Sequence, residues 1–165
     1  MDAEAINLDV SPNVGADVVW DLEKTPLPFD AGRFVHITAR HVLEHIRNLV
    51  PLMADLHRIL CPGGLLEIHC PYGSSDDAWE DPTHVRAFFK ASWVYFNKDI
   101  YQNEKTHGYY DSGIDFKLEI EAMELIIYDE YKNKREEELQ CLIQTQRNVV
   151  KEMRVILKKA PLAVR

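Results

Sequence analysis

Asn48-Leu49-Val50-Pro51-Leu52-Met53-Ala54-Asp55-Leu56-His57-Arg58-Ile59-Leu60-Cys61-Pro62-Gly63-Gly64-Leu65-Leu66-Glu67-Ile68-His69-Cys70 decides the fold, because its apolar spacing changes period halfway along. Leu49, Leu52, Met53, Leu56, Ile59 and Leu60 fall on one face of a helix. Asn48 is a candidate cap, and Pro51 is tolerated in the first turn, where its missing N–H has no partner to lose. Cys61-Pro62-Gly63-Gly64 stops the helix, since proline cannot continue it and glycine adopts tight conformations freely. Leu65 to Cys70 then reads as a strand. Upstream, Phe34 to Thr38 is a strand after the Asp30-Ala31-Gly32 turn. Ala16 to Leu22 is another, closed by Thr25-Pro26-Leu27-Pro28, and Ala5 to Val10 is a third, closed by Ser11-Pro12-Asn13. Strands alternating with a helix and a tight turn predict an α/β fold with an open, mostly parallel sheet.

Downstream, Pro71 to Gly113 is an aromatic-rich insertion. It carries Tyr72, Trp79, Phe88, Phe89, Trp93, Tyr95, Phe96, Tyr101, Tyr109 and Tyr110, with a short helix predicted after Ser92. A stretch this long without periodicity inside a compact domain reads as a lid or substrate-binding loop. Ile114 to Tyr128 has strand character, and Lys132 to Val150 is charged and helical. The segment from Glu152 to Lys158 fits both a continued helical stripe and an alternating strand. The organisation expected is one domain over residues 1–165, with 71–113 as the lid or substrate insertion and 114–165 as a C-terminal strand-helix-strand.

The 165 residues are 46% apolar, enough for one core. Lys and Arg number 19 against 27 Asp and Glu, a net charge of −8, which repels phosphate backbones and argues against a nonspecific nucleic-acid binder. No apolar run approaches the ~18 residues of a membrane span, and no leader pattern opens the chain. Three widely spaced cysteines, Cys61, Cys70 and Cys141, suit reduced thiols and a cytoplasmic protein.

Four stretches stand in a distinctive order: Asn7-Leu8-Asp9-Val10-Ser11, Ala16-Asp17-Val18-Val19-Trp20-Asp21-Leu22, His41-Val42-Leu43-Glu44-His45, and Leu56 through Leu66. Together they resemble the class I S-adenosylmethionine-dependent methyltransferases of the type 11 methyltransferase-domain group. Asp81-Pro82-Thr83-His84 continues the likeness more loosely. The resemblance implies a Rossmann-like, mostly parallel sheet, truncated at its N-terminus, with S-adenosylmethionine as cofactor. It also implies that Met153 to Lys158 is the last, antiparallel strand. Ligands of open α/β sheets sit outside the carboxyl ends of the strands. Asp9 at such an end would accept both hydrogen bonds of a ribose diol. Asp21 would meet the adenine amine, Leu22 would give an apolar contact, and the strand end at Ala39 to His41 would approach the methionine part.

Two departures follow from the same comparison. Val35 stands where the family usually has an acidic residue, and no Gly-rich turn joins a first strand to a first helix. The chain is therefore expected either to pair Ile6–Val10 directly with Phe34–Thr38 or to leave a gap between them. It is also expected to bind S-adenosylmethionine weakly or not at all alone. An upstream strand-turn-helix of roughly 30 to 45 residues should restore binding.

His41 to His45 spells H-x-x-E-H, the inverted zinc-protease pattern. The methyltransferase resemblance already accounts for that stretch, and His69 and Cys70 lack a paired cluster, so no metal centre is expected. The function expected is methyl transfer to a small or medium-sized organic acceptor, with neither nucleic acid nor membrane as partner. The alternative is a non-catalytic pseudo-methyltransferase domain that binds a partner or glycan. An oxygen or nitrogen acceptor that must lose a proton needs a base. The candidates are His84, Glu44 and His45, with Tyr72, Trp79, Asp81 and Trp93 expected around the acceptor.

Overall fold

In the computed structural model, which describes residues 5–98 and 114–161, the strands form two sheets. β1 (Leu8–Asp9) pairs in parallel with β2 (Val18–Val19). β3 (Phe34–Arg40), β4 (Leu60–Pro71), β5 (Phe116–Ile127) and β6 (Val150–Lys159) form a four-stranded sheet in the order β3-β4-β6-β5. β3 and β4 are parallel, and β6 is antiparallel to both its neighbours. The Rossmann-like α/β expectation stands, with a sheet that is mixed. The ambiguous last segment is the antiparallel strand that the resemblance implied.

α1 (Leu49–Ile59) follows the predicted stripe: Leu49, Leu52, Met53, Leu56 and Ile59 are all buried. They meet Leu66 and Ile68 of β4 in one core with Met153, Val155 and Leu157 of β6. Each such side chain contributes ~1.5 to 3 kcal/mol by leaving water. Leu56→Ala is expected to lower unfolding free energy by about 2 to 5 kcal/mol, as other core truncations do. A urea titration showing less than about 1 kcal/mol of loss would mean the helix is not docked through this residue. The helix ends where the Pro-Gly-Gly sequence begins, and Cys61 to Gly64 bulge out of the ladder between the Phe34–Leu60 and His36–Leu65 pairs. A Cβ on Gly64 would stand 2.9 Å from the Cys61 carbonyl oxygen and 3.2 Å from that of Phe34, so the bulge requires glycine there.

The start of α1 differs from expectation, because the Asn48 side chain makes no capping bond. Glu23 does the work from the preceding loop, accepting the N–H groups of Arg47 at 2.7 Å and Asn48 at 3.0 Å. A carboxylate at that end also suits the helix dipole.

Of the two ways to join the halves of the sheet, the structure takes the gap: among the described residues β3 bonds only to β4, and β1 only to β2. Val35, His36, Thr38 and Arg40 of β3 are exposed, so water can reach this edge and its groups escape the cost of dry burial. β1 and β2 are shorter than the runs read from sequence. Ser11 N–H turns back to Asp9 Oδ1 at 2.8 Å, and Pro12 opens a 3-10 turn, which ends β1 at once.

In the insertion, α2 (Asp77–Glu80) and a 3-10 helix over Lys90–Phe96 carry the chain, the latter in place of the helix predicted after Ser92. Tyr101, Tyr109 and Tyr110 lie outside the described residues. α3 (Glu136–Thr145) is shorter than the predicted Lys132–Val150 helix, because Val150 is already the first residue of β6. Among the described residues no helix is long and apolar enough to cross a membrane.

Candidate functional site

Two segments distant in sequence meet just past the carboxyl ends of β3 and β4. The first is the H-x-x-E-H stretch. Its His41 leaves β3 at φ 47°, a left-handed conformation that side chains seldom adopt, and Leu43–His45 forms a single 3-10 turn. The two histidines therefore do not share an α-helical face as a zinc protease would need. The second is Asp81-Pro82-Thr83-His84, whose neighbour Val85 donates its N–H to the Glu44 carbonyl at 2.9 Å. That bond holds His84 against His45, with ring centroids 4.7 Å apart edge to face.

Local hydrogen bonds fix both imidazoles. His84 Nδ1 lies 3.2 Å from the Ala78 carbonyl, which can only accept, so Nδ1 carries the proton. Thr83 Oγ1 donates to Asp81 Oδ1 at 2.6 Å, so its 2.9 Å contact with His45 Nδ1 must be accepted from that nitrogen. Each ring thus keeps Nε2 as its basic nitrogen. The Thr83 hydroxyl and N–H hold the Asp81 carboxyl below its usual range.

Glu44 sits beneath them, 1% exposed, and neither carboxylate oxygen has a hydrogen-bond partner. His41 Nδ1 stands 3.4 Å from Oε1, at ion-pair distance but outside hydrogen-bonding geometry. A depression of about 420 Å³ opens above, lined by His41, His45, Asp77, Glu80, Asp81, His84 and Glu152 together with Pro71 and Lys151.

A second polar layer lies behind it. His69 Nε2 meets Glu67 Oε1 at 2.8 Å, its Nδ1 meets Glu152 Oε1 at 3.2 Å, and Glu152 Oε2 reaches His41 Nε2 at 3.5 Å. The hydrogen bond from His69, then that from Arg154, lowers the Glu67 carboxyl from 4.5 to about 2 despite the opposing effect of burial. A depressed folded value stabilises the fold above the ordinary 4.5, and that contribution disappears as pH falls toward 2. With solvent screening at Arg154, Glu67→Gln is expected to cost ~1 to 2 kcal/mol at pH 7 and only a small part of that near pH 2, read from urea midpoints across pH. A loss that does not change with pH would refute the assignment. Burial pushes the neighbouring Cys70 thiol up, which makes it a poor ligand or nucleophile.

Of the residues singled out in the sequence, His41, His45, His84 and Asp81 line the depression and Glu44 underlies it. Trp93 does not take part: it is fully buried and stacked on Phe88 at 4.8 Å, where it anchors the insertion. Tyr72 is buried edge-on against Phe89. Trp79 is exposed and donates its indole N–H to the Gly73 carbonyl at 3.0 Å. Neither lines the depression. The sequence reading missed Glu152, Glu80, Asp77 and the Glu67–His69 pair. For Glu152 the missing signal is the β4–β6 register, which sets it opposite Pro71.

Asp9 ends β1, and Asp21 and Leu22 lie in the loop after β2. Asp9 Oδ1 accepts the Ser11 N–H and Asp21 Oδ1 accepts the Glu23 N–H at 3.0 Å, the ordinary work of aspartate in turns. Each carboxylate keeps its other oxygen, with only Lys24 3.6 Å from that of Asp21. Those acceptor oxygens fit the donors of an adenosine diol and amine. At the methionine end the fit stops: of the five described glycines only Gly73 lies between a strand and an α-helix, β4 and α2, and the Phe89 ring packs directly against it.

A family described as methyltransferase domain matches residues 3–122 of the chain. No curated protein matches the sequence significantly. The fold is similar to that of a SAM-dependent methyltransferase from Archaeoglobus fulgidus, with TM-score 0.63 and 17% identity, over 94% of this chain and 76% of that one. It is also similar to an S-adenosylmethionine-dependent methyltransferase from Mesorhizobium loti, with TM-score 0.53 and 14% identity, over 93% and 80% of the two chains.

Proposed function

The chain belongs to the methyltransferase domain family, and on that premise we propose that it methylates an oxygen or nitrogen of a small or medium-sized organic acceptor seated in the depression. The observation that carries this reading is the pair of imidazoles, His45 and His84, each tied at Nδ1 with Nε2 left as the basic nitrogen beside the buried Glu44, that of His84 3.9 Å from Asp81 Oδ2. Asp9 and Asp21 are the residues that would hold the adenosine part of S-adenosylmethionine, which when bound supplies a methyl group on a sulfonium. The rest of the chain's contribution is alignment and proton handling. Methyl transfer is an in-line displacement, so positioning the acceptor supplies most of the acceleration. These nitrogens are the bases of the site, and the fixed tautomers leave each ring's lone pair on Nε2. The anionic rim of Asp77, Glu80, Asp81 and Glu152 favours a neutral or cationic acceptor.

A second reading rests on the unbuilt methionine end: a non-catalytic domain that uses the same surface to bind a partner or glycan. Calorimetric titration with S-adenosylmethionine, followed by methyl transfer to a panel of small hydroxyl and amine compounds, separates the two. Saturable binding with a methylated product supports the enzyme. Absence of both removes it and leaves the binding domain.

A further inference from the structure

Glu44 poses a problem that the proton-handling role does not solve. A carboxylate removed from water without a hydrogen-bond partner is strongly disfavoured, and the half-exposed His41 ring, 3.4 Å away, makes no hydrogen bond to it. One ligand atom from each of Glu44, His45 and His84 lies within 4.8 Å of the others. Three donors held tetrahedrally at ~2.1 Å stand about 3.4 Å apart, so side-chain rotations that close the widest separation by at most roughly 1.4 Å bring the set into range.

We infer that Glu44, His45 and His84 form a three-ligand site for a divalent ion of the zinc class, with its open positions facing the acceptor depression. The inference deepens the proposed function by giving the acceptor a Lewis acid to bind.

Three independent features support it. Both imidazoles are held at Nδ1 by outer groups, the Ala78 carbonyl for His84 and the Thr83–Asp81 pair for His45. That is the arrangement that orients metal-binding histidines and raises their basicity. Two imidazoles and one carboxylate suit zinc, nickel or iron(II) better than magnesium, which prefers oxygen and water. Finally, four carboxylates against one lysine around the depression attract a cation. The sequence pointed elsewhere, because the matching H-x-x-E-H pattern pairs His41 with His45. The structure substitutes His84, which lies 39 positions beyond His45 in the chain. With an ion bound, the two Nε2 atoms serve as ligands in place of bases, and the ion would acidify a coordinated acceptor hydroxyl, whose proton passes through a rim carboxylate to solvent.

The test is titration of the whole chain with zinc chloride, without cofactor or acceptor, by calorimetry and equilibrium dialysis. One equivalent is expected to bind, and cobalt(II) at the same stoichiometry should show ligand-field absorption bands. His84→Ala should weaken zinc by about 100-fold, and Thr83→Val, which alters only the outer shell on an exposed loop, by about tenfold. His36→Ala, an exposed imidazole on β3, should leave affinity unchanged. Absence of stoichiometric zinc in the parent chain, or equal losses in His36→Ala and His84→Ala, overturns the site. Zinc binding without methyl transfer keeps the site and removes the proposed function. Methyl transfer that persists in a chelator, without zinc binding, does the reverse.

Discussion

His84→Ala is expected to lower methyl-transfer turnover by about 10²- to 10⁴-fold, the range a positioned acid–base group contributes. His84 is the one predicted site residue that is mostly buried yet keeps a basic nitrogen at the depression, its ring clamped between the Ala78 carbonyl and the His45 ring. Affinity for S-adenosylmethionine is expected to stay within about threefold, because Asp9 and Asp21 stand on and beside the separate β1–β2 sheet, held by hydrogen bonds within their own turns. His84→Asn separates chemistry from framework. Its amide can still donate to Ala78 but offers no basic nitrogen, so it should be as inactive as the alanine variant. Steady-state rates at saturating cofactor decide the matter. Turnover within about fivefold of the parent for either variant would reduce His84 to a support of the loop.

The second large effect concerns stability. Asp55 is buried on α1 and accepts the Leu27 N–H at 2.5 Å, Arg58 Nε at 2.5 Å and Arg58 Nη2 at 3.1 Å. Arg58 in turn donates to the carbonyls of Phe29 at 2.8 Å and Leu27 at 3.2 Å, and its own carbonyl takes the Gly32 N–H at 3.0 Å. The pair thus fastens the whole loop between β2 and β3 to the helix, and the hydrogen bond to Asp55 raises the Arg58 guanidinium further. Asp55→Ala leaves a buried N–H and half an ion pair without partners. Removing one member of such a pair costs ~3 to 5 kcal/mol when fully buried, and the partial exposure of Arg58 points to about 3. Against a typical total of ~5 to 15 kcal/mol, that is a large share. Asp55→Asn, which keeps an acceptor oxygen, should lose roughly half as much. A urea midpoint for Asp55→Ala close to that of the parent would show that loop and helix hold together without the pair.

What could be read from the sequence followed from local rules. The i, i+3, i+4 spacing of Leu49, Leu52, Met53, Leu56 and Ile59 and the Pro-Gly-Gly stop are properties of a few consecutive residues, and α1 and β4 obey them. His45, Glu44 and His84 were identified as one site only because two motifs were already associated by resemblance. Their closeness depends on contacts between segments some forty residues apart, the Val85 N–H to the Glu44 carbonyl and Thr83 to His45 among them, which no periodicity announces. Glu67, His69 and Glu152 were invisible for the same reason, since they meet through strand register. Trp93 shows the opposite failure. Composition marks an aromatic in an irregular stretch as a candidate binding residue, but whether its ring stacks on Phe88 or faces a ligand is decided by packing.

β6 lies between β4 and β5, and among the described residues β5 has no other strand beside it. During synthesis, therefore, Phe116–Ile127 is made before Val150–Lys159, the strand it pairs with. At ~5 to 20 residues per second, the partner is complete about one to several seconds later. Any chain that stops short of that point carries a twelve-residue edge with nothing described to pair it, and the sheet closes from within only when the last strand arrives.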